Sequence, residues 1–146
     1  MKKFIFCILL FYLFFYIEGK AKENFYEKAK NKYNEKEMED SKFLFQRNIV
    51  FNPKDSKSYL YLAKIFMKDE NIEEEEINLK NVLLLNPQND EAIYMLVLIK
   101  IKQSNYSEAE ELINKFNLVC KSFCSKKKEI ESKLKKLKPE NAKNNN

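Results

Sequence analysis

Apolar side chains recur along the middle of the chain with a helical spacing. From Ser56, the residues Tyr59, Leu62, Ala63 and Phe66 follow at i, i+3, i+4 and i+7, which places them on one face of a helix. After a short polar break, a second spaced set follows at Ile72, Glu75, Leu79 and Val82. The pattern predicts two helices joined by a tight turn, each burying one face.

This two-helix pattern repeats. Asn52-Pro53 and Asn86-Pro87 lie 34 residues apart, and proline both stops a helix and suits the start of the next one. The downstream repetition consists of Ile93, Leu96, Val97, Tyr106, Ala109, Ile113 and Phe116, and a weaker upstream one consists of Phe25, Ala29, Met38, Ser41 and Phe45. Neither helix of such a pair hides its apolar face alone, so the pairs are expected to stack.

The arrangement resembles the tetratricopeptide repeat (TPR), whose helix pairs recur every 34 residues. The resemblance implies an all-α fold, an antiparallel helix-pair solenoid of about three TPR repeats plus a C-terminal capping helix. The implied TPR domain covers residues 22–138, with repeats at about 22–55, 56–89 and 90–121, a cap helix at about 125–138 and a disordered tail at 139–146.

Several residues depart from the TPR pattern, among them Lys121, which stands where a proline is usual at the end of the third repeat. Glu75 stands where the family has a small residue, and Lys100 stands where an aromatic residue is usual. Glu70 occupies a position where glycine is common, so we expect Asn71 to take the left-handed turn conformation instead. The acidic run at residues 73–76 is interpreted as a solvated helix start, which the helix dipole favours.

The first 21 residues have the pattern of a targeting segment. Lys2 and Lys3 precede an unbroken apolar run at residues 4–17, shorter than the roughly 20 residues that a spanning helix needs. Residues 1–21 are therefore either a signal peptide, cleaved after Gly19 or Ala21, or a retained N-terminal membrane anchor. Both alternatives predict an exported chain, periplasmic or membrane-anchored and facing the extracytoplasmic side.

Composition and charge argue against enzymatic, metal-binding and nucleic-acid-binding functions. The chain has no histidine, the commonest general base and metal ligand, and the sequence offers no nucleophile–base pair. We therefore expect no enzymatic activity, no cofactor and no metal site. Residues 121–138 carry 8 Lys against 2 Glu, interpreted first as a solvated cap face and second as a lipid contact. Nucleic acid is not an expected partner of an exported chain, and no arginine or stacking aromatic is interleaved among the lysines of residues 126–138.

TPR ligands usually lie in a concave groove lined by the first helix of each repeat. By this resemblance the partner-binding groove here consists of Tyr26, Lys30, Tyr33, Lys57, Leu60, Lys64, Met67, Lys68, Glu91, Tyr94, Leu98, Ile101 and Lys102. Its aromatic, aliphatic and basic groups would suit a peptide with apolar anchors and acidic flanks. The alternative is that Leu98 and Ile101 only cover the neighbouring helix.

Cys120 and Cys124 are four residues apart, close enough in sequence to be paired or to be two separate buried thiols. Outside the cytoplasm such a pair can oxidise, and a bend at residues 121–123 would help a disulfide to form there and to fix the cap.

The sequence thus predicts a non-enzymatic protein-binding scaffold or adaptor of the cell envelope that holds a partner protein or peptide. The alternative is a self-associating structural subunit of an envelope complex, in which the chain is a homo-oligomer. Membrane association through residues 4–17 is expected if the segment is retained.

Overall fold

The computed structural model describes residues 24–137 of the chain. The predictions for residues 1–21 and 139–146 lie outside the described residues. The described part forms these helices: α1 Phe25–Asn34, α2 Met38–Phe51, α3 Ser56–Lys68, α4 Ile72–Leu85, α5 Asp90–Lys102, α6 Tyr106–Val119, a short 3-10 helix Cys124–Lys126 and α7 Lys127–Leu137. No helix in residues 24–137 combines the length and the apolar content needed to cross a membrane.

The helices pack in consecutive pairs. α1 packs most closely on α2, α3 on α4 and α5 on α6, while α2 against α3 and α4 against α5 join one pair to the next. α7 then covers the last pair by packing on both α6 and α5. The predicted all-α class and helix-pair solenoid are confirmed.

Polar residues define the helix starts. Asn71 caps α4 by accepting a hydrogen bond from the backbone N–H of Glu74 at 3.2 Å. Asn105 caps α6 in the same way, by accepting a hydrogen bond from the backbone N–H of Glu108 at 3.3 Å. Such caps satisfy backbone donors that have no partner within the helix. Side-chain caps of this kind mark the starts of α1, α3, α4, α5 and α6, whereas α2 begins without one.

The turns within the three helix pairs share one backbone feature. Lys36, Glu70 and Ser104 have positive φ angles of 66°, 57° and 59°, and they are spaced 34 residues apart. The expectation for Asn71 is therefore wrong, because Asn71 has φ −87° and Glu70 itself takes the left-handed conformation. The reason is that Asn71 is needed as the N-cap of α4, a position with an extended rather than left-handed backbone.

The core runs continuously along the array. Ala29 and Phe45 of the first pair are fully buried against Leu62 and Ile65 of the second. Further clusters join α3 and α4 to α5, and α5 and α6 to α7. In α7, Ile130 and Leu134 are 0% and 8% exposed, so the capping helix closes the apolar end of the solenoid.

Lys100, which replaces the usual aromatic residue, is buried and paired. Its Nζ lies 2.8 Å from Glu76 Oε1 and 3.0 Å from Glu108 Oε2. Burial opposes ionisation of Glu76, but hydrogen bonds from Lys100, Lys80 and Gln103 outweigh it and lower the pKa of Glu76 to about 2. Interpreting the whole run 73–76 as solvated was therefore wrong, since Glu76 is engaged between helices and Glu75 is buried.

Candidate functional site: a concave groove

A cavity of about 770 Å³ opens between the first helices of the repeats, mainly α3 and α5. It brings together seven of the residues that the TPR resemblance assigns to the groove: Tyr33, Lys64, Met67, Glu91, Tyr94, Leu98 and Lys102. We call this cavity, with its lining, the groove. Its volume falls in the range of ligand-binding clefts, which is about 300–1,000 Å³.

Six assigned residues do not line the groove. Tyr26 and Lys57 line a second cavity of about 690 Å³ beside the α2–α3 turn. Lys30, Leu60, Lys68 and Ile101 line neither cavity. Tyr26 instead joins an aromatic cluster, with its ring 5.9 Å from Phe45 and 6.1 Å from Tyr61, and burial together with Tyr61 raises the pKa of Tyr26 to about 12.

Two of these residues show where the assigned side chains lie instead. Ile101 is 7% exposed and packs in the core with Val97, because the two lie one helical turn apart on the same buried face. Lys68 lies beside the groove lining, because its Nζ is 4.4 Å from the centre of the ring of Tyr33, which lines the groove. The alternative that this face covers a neighbouring helix therefore holds for Ile101, whereas Leu98 does line the groove.

The groove also contains residues that the resemblance did not assign: Glu70, Ile72, Glu75, Met95, Ile99, Phe123 and Lys126. Ile72 and Glu75 belong to the second helix of a pair, and Phe123 and Lys126 belong to the connection that leads to the cap. Among them only Glu75 carries a sequence signal, because it stands at a position where the TPR pattern has a small residue. No feature of the sequence indicated that Phe123 and Lys126, in the connection before the cap, would line the groove.

The floor of the groove is apolar. Met95 and Ile99 are 5% and 4% exposed, with half-buried Leu98 between them on α5. Met67, at 47% exposure, stands on the opposite wall. An apolar floor beneath an open mouth suits the apolar side chains of a bound segment.

Aromatic residues close one end of the groove. The rings of Tyr94 and Phe123 are 5.8 Å apart, and Tyr94 Oη donates a hydrogen bond to Glu129 Oε1 of the capping helix at 3.0 Å. Burial, and then this hydrogen bond to Glu129, raises the pKa of Tyr94. The capping helix therefore supports the groove wall through Tyr94, as well as closing the core.

Two groove lysines are already paired with carboxylates. Lys64 Nζ lies 2.8 Å from Glu91 Oε1, and Lys126 Nζ lies 2.9 Å from Glu129 Oε2. Their charges are therefore compensated within the groove. This weakens the expectation that acidic flanks of a partner would find free basic groups here.

Glu75 is the unusual charge of the groove. Its residue is 6% exposed, and burial outweighs the attraction of Lys102 and raises its pKa to about 7. The equivalent contact positions of the first and third pairs hold Ser41 and Ala109, both fully buried. A titratable side chain thus stands where the other pairs have a small one.

The connection that carries Phe123 is fixed at several points. Cys120 and Cys124 form a disulfide with their Cα atoms 5.2 Å apart, in the bend between α6 and the 3-10 helix. Asp90 Oδ2 accepts hydrogen bonds from the backbone N–H groups of Lys121, Ser122 and Phe123 at 2.7, 2.6 and 2.9 Å. Burial opposes ionisation of Asp90, but these bonds lower its pKa. Of the two alternatives for the cysteines, the structure has the disulfide.

Within residues 24–137, no group of three or more His, Cys, Asp or Glu side chains is placed to hold a metal ion. The lining of the groove offers apolar contact, aromatic rings, paired charges and one buried carboxyl group.

The fold is similar to that of solved TPR-like chaperones. The type III secretion translocator chaperone SycD of Yersinia enterocolitica is 18% identical with a TM-score of 0.68, covering 80% of this chain and 82% of that one. SycD has also been solved with a peptide of the translocator YopD. PcrH, solved with the chaperone-binding region of PopD, is 13% identical with a TM-score of 0.66, covering 79% and 89%.

A human protein has a similar fold. The second TPR domain of RPAP3, solved with an HSP70 peptide, is 16% identical with a TM-score of 0.64, covering 79% of this chain and 92% of that one. No family model matches the chain, and no curated protein matches it by sequence. The chain therefore has a TPR-like fold, which many proteins use for different purposes.

Proposed function

We propose that the chain is a non-enzymatic scaffold that holds an extended or helical segment of a partner protein in the groove. The observation that carries the proposal is the open cavity of about 770 Å³ with an apolar floor, formed by helices that belong to three successive pairs and by the connection that leads to the cap. Three proteins with similar folds, SycD, PcrH and RPAP3, have been solved with peptides or binding regions of other proteins, which supports the same use here.

We further propose that this scaffold acts on the extracytoplasmic side of a membrane. The support is the charge and hydropathy pattern of residues 1–21, with Lys2 and Lys3 before the apolar run at 4–17. A protease-protection assay on intact cells tests the location. Degradation of the chain by external protease, after outer permeabilisation where needed, supports it, and full protection until the inner membrane is lysed contradicts it.

The binding proposal is tested by comparing two leucine substitutions. Leu98→Asp places a charge on the groove floor, while Leu118→Asp changes a side chain that is 87% exposed on α6. We expect Leu98→Asp to abolish co-purification of the partner and Leu118→Asp to leave it intact, with both variants folded by circular dichroism. Retention of the partner by Leu98→Asp would remove the groove from the proposal.

Self-association is a second candidate, favoured by an exposed apolar row. Val50, Leu84 and Leu118 are 77%, 80% and 87% exposed and follow one another at intervals of 34 residues, near the ends of α2, α4 and α6. Exposed apolar side chains in a regular row are typical of contact surfaces. Sedimentation tests this candidate. A dimer that Leu84→Glu converts to monomer supports it, and a monomeric parent chain at high concentration contradicts it.

A further inference from the structure

Glu75 stands out because its carboxyl group faces a binding cavity without an internal partner. Its residue is 6% exposed and lines the groove on the α4 side. Within residues 24–137, no hydrogen-bond donor and no lysine or arginine within ion-pair distance contacts it, although Lys102 exerts a longer-range attraction. A carboxylate that is largely withdrawn from water and has no donor loses part of its hydration, and a cation or a hydrogen-bond donor supplied by a ligand offsets that loss.

The other charges of the groove leave this carboxyl group uncompensated. Lys64 is paired with Glu91 and Lys126 with Glu129. Three charged lining residues have no such pair: Glu70, Glu75 and the exposed Lys102. Two carboxyl groups therefore stand against one lysine outside such pairs, which favours a cationic ligand group over an anionic one.

The surroundings of Glu75 fit a long side chain that carries its charge at the tip. Ile72 lies one turn before Glu75 on α4, and Met95 and Ile99 form the buried floor nearby in the same cavity. Lysine and arginine bury their methylene stems along apolar surface and keep the charge at the end. A carboxylate that meets such a tip forms a charge-assisted hydrogen bond, which is shorter and stronger than a neutral one.

We propose that Glu75 forms a subsite that selects a lysine or arginine side chain, flanked by apolar residues, in the segment that the groove binds. The inference rests on the proposed function and names the chemistry of the partner. It replaces the expectation of acidic flanks by that of a basic residue at the centre. Glu75→Gln keeps the shape of the side chain and removes the charge, so it isolates this contribution.

The test selects ligands from a random peptide library displayed on phage, using the full chain in mild detergent and two variants. Glu73→Gln is the matched control, because Glu73 is an exposed glutamate in the first turn of the same helix. We expect the parent chain and Glu73→Gln to enrich peptides with Lys or Arg beside apolar residues. Glu75→Gln is expected to enrich apolar peptides without the basic residue.

The strongest peptide is then measured by calorimetry with its basic residue present or replaced by glutamine. We expect the replacement to weaken binding to the parent chain about ten-fold or more, and to change binding to Glu75→Gln by less than about two-fold. Glu75→Ser, which copies the residue of the first pair, serves as a second folded variant and should behave like Glu75→Gln.

Three outcomes decide between the claims. Selected peptides that lack Lys and Arg overturn the Glu75 inference and leave groove binding standing. The same basic preference in Glu75→Gln as in the parent chain also overturns the inference. If neither the parent chain nor Glu73→Gln selects any peptide, the inference falls together with the proposed function.

Discussion

Asp90, the first residue of α5, accepts a hydrogen bond at 2.9 Å from the backbone N–H of Phe123, 33 residues later in the chain. The same carboxylate oxygen also accepts the N–H groups of the two preceding residues. The start of a groove helix thereby holds the connection that places Phe123 at the end of the groove. The relationship couples the position of the cap to the shape of the site.

Asp90→Ala is expected to loosen this connection. Removing the carboxylate leaves three backbone donors without their acceptor, so we expect unfolding to become easier by about 1–3 kcal/mol. Urea denaturation measures the change. Asp40→Ala is the control, since Asp40 is an exposed aspartate in the first turn of α2, and its loss should cost less than about 0.5 kcal/mol. Equal effects of the two substitutions would contradict the account of the Asp90 contacts.

Reduction of the disulfide is expected to act on the same connection. Cys120 and Cys124 enclose the segment that Asp90 holds. We expect reduction, or the double substitution of both cysteines by serine, to increase hydrogen exchange at residues 120–126 and in α7. Exchange in α1 to α3 should stay unchanged, because those helices lie at the other end of the array. Uniform change along the chain would contradict a local role.

Glu75→Gln should change how stability depends on pH. The pKa of Glu75 is raised from 4.5 to about 7 in the folded chain, so between these values the folded state holds a proton that the unfolded state has lost. Stability should therefore fall as pH rises from about 4.5 to 7, by on the order of 1 kcal/mol after solvent screening in the open groove. Glu75→Gln should lack this loss, and Glu73→Gln should keep it. Denaturation at several pH values checks this, and parallel curves for all three proteins would refute it.

Lys100 and Lys80 provide a matched comparison around one carboxylate. Both pair with Glu76, but the side chain of Lys100 is 7% exposed and that of Lys80 is 59% exposed. Lys100→Met removes the buried partner of a buried carboxylate and should cost about 3 kcal/mol. Lys80→Met should cost less than about 1 kcal/mol, because exposed pairs contribute little. Similar losses of unfolding free energy for the two variants would contradict this view of the pair.

Glycine at the left-handed turn positions should stabilise the chain. Ser104 has φ 59°, a conformation that costs an ordinary residue more than it costs glycine. We expect Ser104→Gly to raise the free energy of unfolding by about 0.5–1 kcal/mol. Ser107→Gly, three residues later in α6, is expected to lower it by about 1 kcal/mol. Destabilisation by Ser104→Gly would show that the turn does not depend on this conformation.

The fold was predictable because its determinants are local. Apolar spacing marks one face of each helix, and Asn-Pro dipeptides mark the breaks between pairs, so helix type and pairing follow from short segments. The turn conformation was predicted one residue late, at Asn71 instead of Glu70. Asn71 caps helix α4 and cannot take the left-handed conformation at the same time, so Glu70 takes it instead.

The groove was predictable only in part, because its lining depends on how helices cross. Ile101 shares a helix with Leu98, yet one is core and the other lines the cavity. Glu75 was visible as an outlier, but whether such a carboxyl group would turn toward solvent or toward the groove depends on packing between α3, α4 and α5. Phe123 entered the site through contacts with Asp90 that no sequence spacing indicates.

Site-specific photo-crosslinking tests the central claim most directly. A photoreactive amino acid is placed at Leu98 in the groove or at Leu118 on the exposed row, in the cells that produce the chain, and crosslinked peptides are identified by mass spectrometry. The account predicts that Leu98 crosslinks to one short segment of another protein and that Leu118 does not. Crosslinks from Leu118 alone, or from Leu98 only to a second copy of this chain, would contradict it.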